Sequence, residues 1–136
     1  MKFYSMKEAC SESGLTYQTL KFYCNEGLVP NVKRDENNHR IFDERDIKWI
    51  KDLACLKKCN MSIEEMKAYL SMCLKGKESI QSRKEILARK QEELRKRLSE
   101  LEESISYIDW KQKFYDDVLS GKREYVSNLI DYKKIK

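Results

Sequence analysis

The sequence predicts a mainly α-helical protein that carries one small β-hairpin and ends in a long coiled-coil helix. Three observations predict it. The 136 residues include only four glycines and one proline, so few positions interrupt a helix. Two Ser-x-x-Glu boxes, Ser5 to Glu8 and Ser62 to Glu65, mark helix starts, because hydroxyl and carboxylate satisfy each other's backbone donors. Apolar or aromatic residues recur every seven positions from Ile80 to Tyr115, the period of a coiled coil.

Ser5 opens a short first helix with Met6, Ala9 and Cys10 facing inward, and Gly14 stops it. Thr16 then caps a second helix, YQTLKFYCN, which Gly27 ends. Two short helices around a tight Gly-containing turn make the helix-turn-helix pattern. In the following LVPNVKRDENNHRIF, Pro30 forbids helix, Val29 and Val32 precede a polar cluster, and Ile41 and Phe42 follow it. This reads as a two-stranded hairpin, a wing, turning at Asp35-Glu36-Asn37-Asn38, where Asn tolerates left-handed backbone.

Asp43 caps a third helix with Ile47, Ile50, Leu53, Ala54 and Leu56 on its apolar side, and Asn60 ends it. The Ser62 box opens a fourth helix through Met66, Ala68, Tyr69 and Leu70. From Ser79 to Leu119 there is neither Pro nor Gly. Ile80, Leu87, Leu94, Leu101, Ile108 and Tyr115 form one seam, and Leu98, Ile105 and Leu119 contribute to a second that Lys84, Gln91 and Gln112 interrupt. A helix of that length extends roughly 60 Å and cannot bury its stripe on a small domain. The simplest cover is the same helix of another copy. The tail holds Tyr125, Val126, Leu129, Ile130 and Tyr132 and is expected to form a short helix packing back on the coil. The expected organisation is a winged helix-turn-helix unit at 1–75, a dimerisation helix at 79–119 and a tail at 120–136.

Composition excludes several classes. Twenty-eight basic and 23 acidic residues give a net charge of +5, which favours a polyanion without establishing one. Apolar runs are too short for a membrane span, and MKFYSMKEACSESG has no apolar core of a secretory signal. The odd set of five cysteines, Cys10, Cys24, Cys55, Cys59 and Cys73, reads as free thiols of a cytoplasmic protein. An enzyme is not expected: no nucleophile accompanies a His and an acid, no Gly-rich phosphate loop is present, and no metal motif is complete. No cofactor is expected either.

Three stretches carry a specific resemblance. YSMKEACSESGLTYQTLKFYCNEGLV, RDENNHRIFDERDI and NMSIEEMKAYL resemble the signature segments of the MerR family of transcriptional regulators, from about Tyr4 to Leu70. The resemblance implies a homodimer with two winged helix-turn-helix domains at the ends of an antiparallel coiled coil formed by residues 79–119. It implies binding to a palindromic, double-stranded promoter with an overlong spacer, distorted so that RNA polymerase can use it. Distortion of this kind is indirect readout.

Candidate DNA-contacting residues follow from both arguments. Tyr17, Gln18 and Lys21 lie on the outer face of the second helix, opposite Leu20 and Tyr23, and such helices present their start to base edges. Gln18 suits adenine, where Arg would suit guanine. Thr16 starts that helix. Lys21-Phe22-Tyr23 stands where the family often has Arg-Tyr-Tyr, which brings Tyr23 into the set. Lys33, Arg34, His39 and Arg40 flank the hairpin tip, and Arg40 matches the arginine of the family's Gly-Tyr-Arg motif, with Asn38 and His39 replacing the first two. Lys58 precedes the loop that acts as a second wing in the family, and the helix start at Ser62 is a candidate phosphate site. Lys57 reads as solvated surface.

No separate ligand-binding domain is expected beyond the coil. Cys55 and Cys59 are four apart on a helix, too few thiols for a metal site. DIKWIKDLACLKKCNMSI and YIDWKQKFY resemble the thiol-based, aldehyde- and electrophile-responsive branch of the family (AdhR/NmlR-like), whose cysteine before a Leu matches Cys55. Sensing would need a thiolate there, helped by Lys51 and Lys58; otherwise Cys55 is a small apolar residue. Two other readings stand beside this one. One is a regulator of the same fold that senses a metal or small apolar ligand, and the other is a coiled-coil interaction protein without specific DNA binding.

Overall fold

The computed structural model describes residues 2–131. They divide into two compact units, Met1–Glu92 and Glu93–Lys136. In chain order the elements are β1 (Tyr4–Ser5), α1 (Met6–Ser13), α2 (Tyr17–Asn25), β2 (Lys33–Arg34) and β3 (Arg40–Phe42). They continue with α3 (Glu44–Lys58), α4 (Ile63–Leu74), a 3-10 turn at Gly76–Ser79 and α5 (Ile80–Leu119).

Local capping chemistry sets most of these boundaries. The Ser5 hydroxyl accepts from the Glu8 N–H at 3.1 Å, and the Glu8 carboxylate accepts from the Ser5 N–H at 3.0 Å. The Ser62–Glu65 box repeats the arrangement with the same two distances. Asp43 caps α3 through a box closed by Asp46, a Glu substitute that the Ser-x-x-Glu pattern does not reveal. Helices α2 and α3 end alike. In α2, Gly27 lies at φ 79°, with Leu28 N–H on Tyr23 C=O and Gly27 N–H on Cys24 C=O. In α3, Asn60 at φ 65° does the same work, with Met61 N–H on Leu56 C=O and Asn60 N–H on Lys57 C=O. Both are Schellman closures, which require a left-handed residue just past the helix.

The sheet has three strands in the order β1-β3-β2, all antiparallel. The expected hairpin pairs Lys33 with Ile41 and Arg34 with Arg40, and its turn is closed by Asp35 N–H on His39 C=O and Asn38 N–H on Asp35 C=O, both at 2.9 Å. The third strand is new: Tyr4 and Ser5 pair with Phe42 and Ile41. Two residues cannot show strand periodicity, so this pairing emerges only from the tertiary fold.

Phe42, Leu20, Leu28, Ile50, Leu53 and Met66 are the largest fully buried side chains of the first unit. Ala9, Ile47, Ala54 and Leu70 complete much of the rest. The Trp49 indole N–H donates to Leu28 C=O at 2.6 Å, tying α3 to the segment after α2. The first unit extends beyond residue 75 into α5. Ile86 packs against the core, and the nearly buried Lys90 ammonium lies 3.0 Å from a Glu65 carboxylate oxygen. Ser79 donates to Met72 C=O, and Arg83 Nη2 donates to Gly76 C=O at 2.6 Å, which fixes the entry to α5.

Helix α5 is continuous over 40 residues. In the second unit Tyr107, Trp110, Phe114 and Tyr115 make a chain of ring contacts with centroids 5.8–6.4 Å apart. After α5 the chain turns at Gly121, and Arg123 sits over the Phe114 ring at 5.4 Å, so the tail does fold back at that point. The expected tail helix does not form across the described residues Arg123 to Asp131. Instead Ser127 Oγ accepts from the Leu129 and Ile130 N–H groups, a side-chain turn that competes with helix. Tyr132, part of the same expectation, lies outside the described residues.

Candidate DNA-binding surface

Helix α2 separates two faces cleanly. Leu20 and Tyr23 are 0% and 3% exposed, whereas Tyr17 is 56% exposed, and Gln18 and Lys21 are also exposed. The Thr16 hydroxyl is committed to the helix start, accepting from Thr19 N–H at 3.1 Å and donating to Thr19 Oγ1 at 2.9 Å. Capping fixes the direction of α2, and the outward residues of its first two turns follow from that.

The wing lies beside the start of this helix. Tyr17 of α2, Lys7 of α1, and Arg34, Asn38, His39 and Arg40 of the hairpin surround one open depression of about 450 Å³. Three cationic side chains and an imidazole rim it beside the Asp35 carboxylate, a mainly basic arrangement suited to a phosphodiester backbone. Arg34 Nη1 donates to Asn38 C=O at 2.9 Å, and Arg40 Nη2 donates to Asn25 Oδ1 at 2.6 Å. Both guanidiniums are therefore held by one N–H and keep further donors for an acceptor. His39 is well exposed, with Nδ1 3.7 Å from the Asp35 carboxylate. The Asp35 carboxyl is held below its usual value, first by the His39 N–H. Lys7 was not among the sequence candidates; its signal is its position just after the inward Met6, on the outer side of α1.

Three candidates receive other roles. Tyr23 is a core residue: three positions after Leu20, it lies on the inward stripe, and burial pushes its phenol up. The family triplet brought it into the set, against its helical phase. The Lys33 ammonium bridges Asp43 and Asp46 at 3.0 Å each. The hydrogen bond to Asp43, then that to Asp46, raises its pKa. Lys33 thus neutralises the buried Asp46 and the α3 cap instead of presenting a free cation. At Ser62 the hydroxyl is taken by Glu65, whose carboxyl is held low by the Ser62 N–H first and Lys90 second. Glu64 and Glu65 already place negative charge at that helix start, where a phosphate would be repelled. Lys58 is exposed in the last turn of α3.

The thiols fall into two groups. Cys10 and Cys24 pack against the core, and burial pushes both up, for Cys24 against the pull of Arg40 and Arg34. Cys24 is half-buried near the end of α2. Cys55 is exposed on α3, while Cys59 and Cys73 are half-buried. Lys51, considered as a helper for Cys55, pairs with Glu12 at 3.5 Å. Among the described residues no three His, Cys, Asp or Glu side chains gather as metal ligands, and no helix is long and apolar enough to cross a membrane.

Comparison with known proteins places this geometry. The family model described as "MerR HTH family regulatory protein" matches residues 4–73. An uncharacterized HTH-type transcriptional regulator of Haemophilus influenzae is 31% identical over 112 residues, 82% of this chain and 83% of that protein. The HTH-type transcriptional regulator AdhR of Bacillus subtilis is 36% identical over 90 residues, 66% of this chain and 64% of AdhR. Among solved structures, HiNmlR, a MerR family regulator lacking the sensor domain and bound to promoter DNA, superposes with a TM-score of 0.75 at 29% identity. The match covers 88% of this chain and 90% of that one. A MerR family protein from Listeria monocytogenes gives a TM-score of 0.76 at 30% identity over 89% and 92% of the two chains. These relatives are regulators, not enzymes. The chain belongs to the MerR family of helix-turn-helix transcriptional regulators.

Proposed function

We propose that the chain binds a palindromic promoter as a homodimer joined through residues 79–119. It distorts that DNA for RNA polymerase in the cytoplasm and is switched by electrophile modification of Cys55. One observation carries the DNA reading: Tyr17 at the start of α2 and the arginines of the wing meet around one depression. Gln18 and Lys21, exposed on the same helix, continue that surface. The promoter-bound state of HiNmlR supports the same use of this fold.

Two further features support the finer parts. The coil stripe is exposed in the single chain, with Leu98 at 56%, Leu101 at 60% and Ile105 at 67%, and a second α5 is the simplest cover. Cys55 stands exposed on α3, with Lys58 three residues on, so its thiolate can reach an incoming electrophile. Addition to an unsaturated aldehyde would form a carbon–sulfur bond at the β-carbon as the C=C π bond opens, and the proton given up by the thiol ends on the α-carbon.

Footprinting on the promoter of its own gene tests the proposal, with and without an unsaturated aldehyde. A palindromic footprint with distorted central base pairs is expected, with affinity falling steeply as salt rises. Cys55→Ser should keep the footprint and lose the aldehyde response. A Cys55→Ser protein that responds like the parent removes Cys55 from the mechanism, and salt-insensitive or absent binding removes the DNA reading.

A further inference from the structure

We infer that Cys55 and Cys59 form a redox-active dithiol: a hydroperoxide oxidises Cys55, and Cys59 resolves it to an intrahelical disulfide that loosens the end of α3. The inference deepens the proposed role of Cys55 and rests on it for the biological signal, but its chemistry can be tested separately.

Placement comes first. Residues four apart on a helix have Cα atoms about 6 Å apart, inside the range of roughly 4.4–6.8 Å that disulfides span. Their Cβ atoms are about 5–6 Å apart, whereas a disulfide needs roughly 3.5–4.5 Å. Closing the bond therefore requires the turn to tighten by about 1–2 Å. This turn can supply it, because Cys59 is already the cap residue, at φ −77° and ψ 4°. Its N–H bonds to Cys55 C=O at 3.0 Å, and the left-handed Asn60 follows. The pair sits in the last turn of the helix, where fewer intrahelical bonds have to shift. Cys55 is exposed and Cys59 half-buried, which orders the roles: the accessible thiol meets the oxidant and the sheltered one resolves.

The chemistry balances. The Cys55 thiolate attacks one peroxide oxygen, the O–O bond breaks, and the departing alkoxide takes a proton to leave as alcohol. The Cys59 thiolate then attacks the sulfur of the Cys55 sulfenic acid. An S–S bond forms, the S–O bond breaks, and hydroxide leaves as water with the thiol's proton. In sum, two thiols and one hydroperoxide give one disulfide, one alcohol and one water.

The consequence follows from what shares that turn. Tightening it disturbs the Schellman closure made by Asn60 and Met61. Asn60 C=O also accepts from the Lys90 ammonium at 3.5 Å, and that ammonium bonds Glu65 at 3.2 Å. Oxidation therefore acts on the α3–α4 loop beside Lys58 and, through Lys90, on the start of α5.

The test treats the full-length protein with hydrogen peroxide, alkylates it under denaturing conditions and maps the peptides. Expected is a loss of two of the five alkylatable thiols, a Cys55–Cys59 linkage reversed by dithiothreitol, and operator binding weakened about fivefold or more, the low end of ordinary coupling. Cys59→Ser should instead accumulate a dimedone-reactive sulfenic acid at Cys55 and still add an unsaturated aldehyde. A disulfide from Cys55 to any other cysteine, between subunits, or none at all overturns the inference, as does a linkage that leaves operator binding unchanged. A parent that forms the linkage but ignores aldehydes defeats the electrophile reading of Cys55 while this one stands.

Discussion

The first unit and the seam of α5 use apolar residues in opposite ways. In the first, Phe42, Leu20, Leu28, Ile50 and Leu53 are fully buried within one chain, and among the described residues no buried side-chain polar atom lacks a partner. In the second, most leucines and isoleucines at sevenfold spacing stay open, from Leu87 at 39% to Leu119 at 86%, with Leu94 half-buried. The difference lies in where the burying surface comes from. The head contains both halves of its interface; in the proposed homodimer the coil contains one half and defers burial to association. A residue's contribution to stability should therefore depend on protein concentration in the coil and not in the head.

Paired truncations break or sharpen that contrast, and they carry the largest expected effects. Phe42→Ala should cost about 3–5 kcal/mol through lost burial and a cavity. Its effect, read by urea unfolding, should be the same at every protein concentration once oligomer dissociation is accounted for. Leu101→Ala combined with Ile108→Ala should leave the head's own unfolding untouched. It should move the monomer–dimer midpoint, read by analytical ultracentrifugation, by tenfold or more, since every 1.4 kcal/mol is a factor of ten. Equal, concentration-independent losses in both variants would mean that α5 buries its seam within its own chain.

The same contrast explains what the sequence disclosed. Signals confined to four or five residues were legible. Examples are the boxes at Ser5 and Ser62, the Thr16 cap, and the left-handed Asn60, because the chemistry that makes them is local. The seven-residue repeat was legible because a long helix preserves its phase. Signals that need two distant segments were not. Tyr4–Ser5 is a strand only because β3 lies beside it, and Lys33 is a structural cation only because Asp43 and Asp46 come within 3.0 Å of it. On α2 the outward set Tyr17, Gln18 and Lys21 came from helical phase and is exposed as expected. Tyr23 entered through a family triplet, against its phase, and the phase was the better guide.

Within the proposed DNA surface the comparison becomes wing against helix α2. Arg40 sits at the rim with one N–H on Asn25 and the rest available. Arg40→Ala should weaken binding to operator and random duplex alike, and lower the slope of log affinity against log salt by about one. Gln18→Ala should leave random-duplex binding alone and cost about 1–3 kcal/mol on the operator only. Fluorescence anisotropy at several salt concentrations measures both. A loss from Arg40→Ala confined to the operator would make it a base reader instead of a phosphate clamp.

The smallest expected effect separates structural cations from DNA-facing ones. Lys33→Met removes the partner of Asp46, which is 4% exposed, and of the α3 cap at Asp43. At neutral pH it should cost about 1 kcal/mol of folding stability while leaving DNA affinity of the folded protein nearly unchanged. The Asp43 carboxyl is held low, first by the Asp46 N–H and then by Lys33. Its contribution is thus complete above its unfolded pKa and disappears as pH falls below about 4. The Lys33 ammonium is held high, so its share is complete below about pH 10 and disappears as pH rises through the raised value. Parent and variant should therefore differ most between those limits and converge at both ends in urea unfolding. A variant that instead loses DNA affinity at unchanged stability would return Lys33 to the binding surface and leave the α3 cap neutralised by other means.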